Sequence, residues 1–352
     1  MGKKKKNLRI NLFVLLITIL LFLLLSEAVY RLVLYANIPK EDYYYLNGLE
    51  GFKGKWESFY INPHASFVSR YAVDKEEDVF RIAVVGDSFT YGYGKENGVA
   101  ILDKAYPLQL EALLNNNFDD YKYEVLNFGF GGATPLEEHY ILREVALKYE
   151  PDLVIMGITS NDADYGIHNL DPIKYCDINL TLCERLKHSL YKNWRLFSYL
   201  SIRLSQREYF YELINPENPI GQRCFERSLK RIKKELGSQG VPNFVVFIPV
   251  IYYTEGSEYF YDYYPDFSGA VSPFNQTMHS LGFDVVHVYP YLSTRSAKDL
   301  LSEDLHHYNS KTNLMFAEII YNHLLTQRLL PGCELEDCSL KLIDTGLGSL
   351  SK

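Results

Sequence analysis

Five short apolar runs, separated by helical stretches, constrain the fold of this chain more than any other feature. The runs are nearly apolar throughout, which is typical of strands buried on both faces of a parallel sheet. They lie at residues 81–85, 123–127, 153–157, 243–249 and 284–289. The stretches that predict helices include residues 105–115, 135–148, 225–236 and 311–325. Such alternation predicts an α/β three-layer sandwich with a central parallel sheet of about five strands.

A serine stands directly after the first apolar run, in the segment Gly86-Asp87-Ser88-Phe89-Thr90. The pattern predicts a turn from a strand into a helix, which exposes the serine hydroxyl and leaves backbone N–H groups free beside it. The positive end of the helix then points toward an oxyanion formed there. The tripeptide Gly86-Asp87-Ser88 is also compatible with a simple chain reversal, in which Asp or Ser caps the next helix. Other segments must therefore decide between a nucleophile and a simple cap.

Three further segments supply the missing parts of an acyl-transfer site. Residues 125–134 predict a strand that runs into a glycine turn, where a backbone N–H can approach a ligand closely. Asn161 follows the third apolar run and offers a carboxamide. Asp304 and His307 are three residues apart, so a carboxylate and an imidazole can lie on one side of a turn. A serine hydroxyl becomes a good nucleophile when such a base takes its proton and a third group orients the base.

These segments resemble the four blocks of the SGNH, or GDSL, hydrolase family, namely a Gly-Asp-Ser block, a glycine block, an Asn-Asp block and an Asp-x-x-His block. The resemblance implies the flavodoxin-like fold of that family. It makes Ser88 the nucleophile, His307 the general base and Asp304 the residue that orients the base. It also assigns the oxyanion hole to the backbone N–H groups of Ser88 and Gly132 and to the side chain of Asn161.

Two of these assignments have neighbours that compete for the same role. His306 is adjacent to His307, but the family places the base three residues after the acid, which favours His307. Gly129 and Gly131 compete with Gly132, and the family spacing from the preceding asparagine favours Gly132.

Other catalytic motifs do not occur in the sequence. Thr90 stands where Gly-x-Ser-x-Gly needs its second glycine. The paired histidines lack the spacing of Cys-x-x-Cys or His-Glu-x-x-His zinc sites, so we expect no metal and no cofactor. The third block also departs from the family, because Thr159 and Ser160 stand where the family often has further glycine.

The N-terminus combines a basic flank with a long apolar run. Residues 3–9 carry five basic side chains, and residues 12–25 contain only Thr18 as a polar member. Extended over residues 10–35, the run is long enough to cross a bilayer, with the basic flank in the cytoplasm and the catalytic domain exported. A cleaved signal peptide is the rival interpretation, because Ser26-Glu27-Ala28 resembles a small-x-small cleavage site. Apolar residues resume after that site, which favours a retained single-pass anchor in the cell membrane.

The domain organisation follows from these segments. We expect a flank and transmembrane anchor at residues 1–35, a juxtamembrane segment at 36–79, the hydrolase domain at 80–325 and a tail at 326–352. The stretch 164–221 is too long for one crossover and is interpreted as an insertion. The insertion could shape substrate choice at the mouth of the site or could be a surface elaboration.

Cysteine usage agrees with export. Cys176 with Cys183 and Cys333 with Cys338 are spaced for short local disulfides, which persist in oxidising compartments. Cys224 is left over and is interpreted as a buried, small apolar residue.

The net charge of the chain restricts the kind of molecule that it can bind. The formal charge is −8, and the first nine residues hold five basic side chains and no acidic one, so the remainder carries −13. Such a domain repels nucleic acid, and no basic stripe interrupts this pattern. We expect an ester-bearing small molecule or a glycan as the substrate, with an O-acetyl group as the bond cleaved. An O-acetyltransferase that uses the same residues, or a catalytically silent glycan-binding protein, are the alternatives.

Overall fold

The computed structural model describes residues 13–15, 17–30, 70–160, 162, 181–182, 186, 219–250, 273–293, 295–333 and 341–343. The chain forms two compact units. The smaller comprises Met1–Phe52 and Asn179–Glu212, and the larger comprises Lys53–Ile178 and Leu213–Lys352. The described part of the smaller unit is essentially one helix, Phe13–Tyr30.

The larger unit is built on a parallel five-stranded sheet. Its described strands are Val79–Gly86 (β1), Lys122–Gly129 (β4), Leu153–Thr159 (β5), Asn243–Ile248 (β6) and Val285–His287 (β7), and a separate two-stranded hairpin is formed by Lys95–Glu96 (β2) and Val99–Ala100 (β3). The order across the main sheet is β4-β1-β5-β6-β7, and each of its neighbouring pairs is parallel. This is the flavodoxin-like order, in which the winding direction reverses between β1 and β5. A ligand site is expected at that reversal.

Helices cover the sheet. Those that the structure describes in this unit are Ser88–Tyr91 (α1), Tyr106–Asn117 (α2), Pro135–Glu144 (α3), Pro219–Gln239 (α4), Pro273–Ser280 (α5), Tyr289–Leu292 (α6), Ala297–Leu300 (α7) and Ser310–Thr326 (α8). Helix α2 packs on β4 and against α8, while α3 contacts β1 and packs against α4. Several helices begin at a capping side chain, for example Asp87 before α1 and Asn309 before α8. At the start of α3, the N-cap Thr134 and Glu137 form a capping box, and Pro135 is the first residue of the helix.

The strands bury both of their faces, as near-continuous apolar runs require. Ile82 and Val84 of β1 are fully buried in the core cluster that includes Tyr106 and Phe316, on α2 and α8. The alternate residues of β1 point to the opposite face and are equally buried. Each such side chain contributes about 1.5–3 kcal/mol on burial. The α/β three-layer prediction with about five parallel strands is therefore confirmed.

A buried arginine interrupts the otherwise apolar β1. Arg81 is 1% exposed, and its Nε and Nη2 donate to Glu124 Oε2 at 3.0 and 2.7 Å. Its Nη1 donates to the backbone oxygens of Val73 and Tyr149 at 3.0 and 2.7 Å. A buried charge is tolerated when it is paired and its remaining donors are satisfied, and Arg81 meets both conditions.

One prediction about the cysteines is wrong. Cys224 and Cys333 are both disulfide-bonded, so the interpretation of Cys224 as an unpaired apolar residue is wrong. Spacing along the chain favoured local pairs, whereas disulfide formation depends on distances in the folded chain. Cys176, Cys183 and Cys338 lie outside the described residues, as do most of the stretch 164–221 and the residue Asn161.

The N-terminal helix meets the length and composition expected of a membrane span. Phe13–Tyr30 is 18 residues long with a mean hydropathy of 2.5, and 6% of it is buried. A retained anchor and a signal sequence both satisfy this criterion.

Candidate active site

Three of the four segments that are predicted to carry the catalytic groups follow neighbouring strands that end at the same edge of the sheet. Gly86, the last residue of β1, lies beside Gly129 of β4 on one side and beside Gly157 of β5 on the other. Because the strands are parallel, the segments that follow them emerge together at the carboxyl edge, next to the reversal of strand order.

The turn after β1 presents Ser88 at the start of helix α1. Asp87 caps the helix by accepting a hydrogen bond from Phe89 N at 2.9 Å, and Ser88 itself is partly exposed between buried neighbours. The helix packs so closely on the sheet that a Cβ at Gly129 would overlap the backbone of Tyr91. A Cβ at Gly86 would likewise overlap the side chain of Thr90. The glycines at the strand ends therefore permit the close approach that sets the position of the serine.

The glycine turn after β4 is hydrogen-bonded directly to the turn after β1 that presents Ser88. Asn127 donates to Thr90 O and accepts from Gly129 N, both at 2.9 Å. Phe130 N donates to Gly86 O at 2.9 Å. Gly132 has a φ of 72°, a left-handed conformation that suits glycine. Within the described residues, the N–H groups of Ser88 and Gly132 make no intramolecular hydrogen bond, so both are available to a ligand.

The loop before α8 brings a base and an acid to the serine. His307 Nε2 lies 3.0 Å from Ser88 Oγ, and His307 Nδ1 lies 2.7 Å from Asp304 Oδ2. The serine and the histidine are 219 residues apart in the sequence. The three side chains thus form one hydrogen-bonded path, with the imidazole between the hydroxyl and the carboxylate.

Asp304 is held by hydrogen bonds from several directions. Its Oδ1 accepts from Ser302 Oγ at 2.8 Å, from His307 N at 2.9 Å and from His306 N at 3.1 Å. Burial by itself would raise the pKa of Asp304, but the hydrogen bonds from His307, Ser302 and His306 outweigh it and hold the pKa well below its ordinary value. The carboxylate is therefore ionised at neutral pH and oriented toward the imidazole.

The adjacent histidine lies in a different environment. The His306 ring is 5.5 Å from the Phe89 ring and 4.6 Å from the His307 ring, centroid to centroid. Burial, and then the neighbouring His307, lower the pKa of His306 to about 4. The His307 ring reaches both Ser88 Oγ and Asp304 Oδ2, whereas His306 contacts Asp304 through its backbone N–H.

The end of β5 is hydrogen-bonded to the same turn after β1. The residues at this end are those that depart from the family pattern. Thr159 Oγ1 donates to Asp87 Oδ2 at 3.1 Å, and Thr159 N donates to Asp162 Oδ2 at 2.7 Å. Ser160 Oγ accepts from Val250 N at 3.0 Å. The position of Asn161 between them lies outside the described residues, so its oxyanion role stays a prediction.

Three buried carboxyl groups lie around the turn that presents Ser88. Asp87 and Glu138 are fully buried, and Asp162 is 3% exposed. Burial raises the pKa of Asp87 to about 6, against hydrogen bonds from Phe89 and Thr159 that lower it. Burial, followed by the charge of Asp87, raises the pKa of Asp162 well above its ordinary value. Among the described residues, no cluster of His, Cys, Asp and Glu is arranged to hold a metal ion.

Sequence reasoning missed two features beside His307. The first is the hairpin β2–β3, whose Glu96 carboxylate accepts from Ser310 N at 2.7 Å and Ser310 Oγ at 3.0 Å. The second is Tyr93, whose ring centroid lies 5.7 Å from that of His307. A tyrosine on either side of Gly92, close after the serine, was the available signal.

A serine, an imidazole and a carboxylate joined by hydrogen bonds at the carboxyl edge of a parallel α/β sheet define the class of serine hydrolases. The GDSL-like lipase/acylhydrolase family matches residues 84–309, well over half of the chain. The chain belongs to this family, and the predicted resemblance is confirmed. Its coarse activity is that of an esterase or acylhydrolase.

Solved structures of related fold were also found. A lipase/acylhydrolase from Enterococcus faecalis is 15% identical, with 72% of this chain and 98% of that chain covered and a TM-score of 0.41. A catalytic mutant of Axe2, an acetylxylan esterase from Geobacillus stearothermophilus, is 15% identical, with 68% and 92% covered and a TM-score of 0.41. At these levels of similarity the two structures carry no argument about the substrate. Among curated proteins there is no significant match.

Proposed function

We propose that this protein is a serine esterase at the outer face of a membrane, and that it removes short acyl groups, such as acetyl, from the hydroxyls of a glycan. The observation that carries the proposal is the path from Ser88 Oγ through the His307 ring to Asp304, at 3.0 and 2.7 Å. Both distances are within hydrogen-bond reach, as proton transfer requires.

The reaction starts at Ser88. His307 Nε2 takes the hydroxyl proton as Ser88 Oγ attacks the ester carbonyl carbon, and Asp304 stabilises the imidazolium that forms. The carbonyl oxygen becomes an oxyanion, for which the candidate donors are the N–H groups of Ser88 and Gly132 and the Asn161 side chain. Removal of one such donor costs about 2.7–4 kcal/mol of barrier stabilisation.

The second half of the reaction uses the same base. His307 returns its proton to the leaving alcohol oxygen as the C–O bond breaks, which leaves an acyl group on Ser88. Water, deprotonated by His307, then attacks the acyl-enzyme. The bond between the acyl carbon and Ser88 Oγ breaks, His307 returns the proton to Ser88 Oγ, and the acid is released. A sugar hydroxyl in place of water would make the enzyme an acetyltransferase.

Support for a polar glycan substrate comes from location and charge. An apolar helix near the N-terminus is suited to hold the domain at a membrane, and outside the first nine residues the chain carries a charge of −13. A strongly acidic domain repels polyanions such as nucleic acids, whereas neutral sugar esters are not excluded.

The test of the chemistry is substitution of the nucleophile. Ser88→Ala should lower kcat/KM for 4-nitrophenyl acetate by roughly 1,000-fold or more and abolish labelling by a fluorophosphonate, because both need an activated hydroxyl. Ser280→Ala, on the surface of α5, is the matched control and should behave as wild type. Activity above a tenth of wild type in Ser88→Ala, with an unchanged circular dichroism spectrum, would overturn the assignment.

The test of the substrate is a series of acyl esters from acetyl to octanoyl, run with and without an oligosaccharide acceptor. We expect activity to fall steeply with chain length, because a long acyl chain needs a continuous apolar groove. Mass spectrometry of the sugar separates the outcomes. Released acetate alone means esterase, acetylated sugar means transferase, and a preference for octanoyl esters contradicts the glycan substrate.

A further inference from the structure

An exposed tyrosine lies against the general base in the proposed reaction. The Tyr93 side chain is 38% exposed, and its ring is inclined at 38° to the His307 ring, with the centroids 5.7 Å apart. The Tyr91 ring also lies near Tyr93, with the ring centroids 4.9 Å apart. Tyr93 and Tyr121 are the large exposed tyrosines among the described residues, and Tyr121 lies just before β4, at the amino end of that strand.

Backbone hydrogen bonds fix the position of the Tyr93 main chain relative to Ser88. Gly92 N and Tyr93 N both donate to Ser88 O, at 3.0 and 3.1 Å. Gly92 has a φ of 88°, which glycine adopts without strain, and it is packed against Ala105. The backbone of Tyr93 is therefore attached to the end of the same short helix that presents Ser88.

The chemistry identifies the part of the substrate that reaches this ring. His307 must deliver its proton to the oxygen of the leaving alcohol, so that alcohol lies next to the imidazole during the reaction. The acyl group, in contrast, is bonded to Ser88 and directed by the oxyanion donors. A ring that flanks the imidazole contacts the leaving alcohol rather than the acyl group.

We propose that Tyr93, supported by Tyr91, determines specificity on the leaving-group side by packing the exposed part of its ring against a pyranose ring of the sugar that carries the acyl group. This inference rests on the proposed function. A pyranose has an apolar C–H face of about the size of one aromatic ring, and its hydroxyls lie at the rim. Tyrosine suits such a ligand, because it offers a flat apolar surface and a polar hydroxyl at small cost in side-chain entropy.

The experiment compares two monoacetyl esters that differ only in the leaving alcohol, methyl 4-O-acetyl-β-D-xylopyranoside and 2-methoxyethyl acetate. Tyr93→Ala should lower kcat/KM for the sugar ester by about tenfold, mainly through KM, because one stacking contact is lost. Hydrolysis of 2-methoxyethyl acetate and the rate of fluorophosphonate labelling should stay within about twofold of wild type. Tyr93→Phe should retain the sugar ester activity, and Tyr121→Ala is the control at a distant exposed tyrosine.

Each alternative outcome is distinct. An equal loss of activity toward both esters would give Tyr93 a structural role near His307 and would overturn the inference. Unchanged kinetics of Tyr93→Ala toward both esters would also overturn it, and the esterase function would remain. A wild-type protein that hydrolyses 2-methoxyethyl acetate but not the sugar ester contradicts the glycan substrate itself, and a protein inactive on both esters contradicts the proposed function as a whole.

Discussion

At the scale of single residues, His306 and His307 differ in their contacts although they are adjacent in the chain. His307 bridges Ser88 Oγ and Asp304 Oδ2, whereas His306 packs its ring on Phe89. We expect His307→Ala to lower kcat by roughly 1,000-fold or more and His306→Ala by less than about tenfold, since only the first removes the base. Steady-state kinetics on 4-nitrophenyl acetate measures both. Similar losses in the two variants, or a larger loss in His306→Ala, would move the base to His306.

Glu138 gives a second prediction at this scale. It is fully buried on α3, and within the described residues neither of its carboxyl oxygens has a hydrogen-bond partner. Burial, and then the charges of Asp162 and Asp87, raise the pKa of Glu138 well above its ordinary value. A carboxyl whose pKa is higher in the folded state binds a proton on folding, so the free energy of unfolding falls as pH rises through the interval between the unfolded and folded pKa values.

Glu138→Gln removes this proton uptake. The variant should gain at least about 3 °C in Tm over wild type at about pH 8 and little at about pH 5, where the carboxyl is already protonated in the folded state. Differential scanning calorimetry at both pH values measures the difference. Glu144→Gln, at a partly exposed position at the end of the same helix, is the control for the loss of a carboxylate and should leave Tm close to that of wild type at both pH values. A Tm difference that is the same at both pH values would contradict the buried-charge explanation.

At the scale of elements, the hairpin β2–β3 braces the loop that carries Asp304 and His307. Glu303 N, in that loop, donates to Lys95 O at 3.0 Å, and Gly98 N donates to Glu303 Oε2 at 3.0 Å. Glu96 accepts from both the N–H and the hydroxyl of Ser310, the first residue of α8. A carboxylate at a helix N-terminus is also favoured by the helix dipole. The hairpin therefore fixes where the catalytic loop meets its following helix.

Glu96 is thus a positioning residue, and its removal should affect rate more than binding. Glu96→Ala should lower kcat by roughly 10- to 100-fold with a small change in KM, because a displacement of about 1 Å in the reacting groups has an effect of that size. Glu96→Gln, which keeps an acceptor oxygen, should recover part of the loss, and Asp103→Ala, at an exposed site nearby in sequence, should lose nothing. Equal kcat in Glu96→Ala and wild type would show that the hairpin does not position the loop.

At the scale of the whole molecule, we propose that the N-terminal helix holds the enzyme at the outer face of a membrane. A reporter fused after Lys352 should be active only on the exported side, since we expect the lysine-rich flank before the helix to stay in the cytoplasm. After a carbonate wash, the full-length protein should remain with the membrane pellet. A soluble product that begins near Val29 would instead establish a cleaved signal peptide, and reporter activity in the cytoplasm would contradict export altogether.

The sequence by itself determined the local parts of this protein. The apolar runs predicted each strand of the main sheet to within a few residues, and the turn residues located the serine and the glycine turn, because periodicity and turn chemistry depend on neighbouring residues. The resemblance to the family singled out Asp304 and His307 as the predicted acid and base, and in the structure the His307 ring lies between Asp304 and Ser88.

Only the tertiary structure decided which distant residues meet. The strand order, the pairing of Arg81 with Glu124, the disulfide at Cys224 and the bond of Glu96 to Ser310, 214 residues away, have no signature in a local pattern. The same holds for the ring of Tyr93 beside His307. These contacts arise because strand order and helix packing bring separate segments together, and packing of this kind depends on the whole fold rather than on neighbours in the chain.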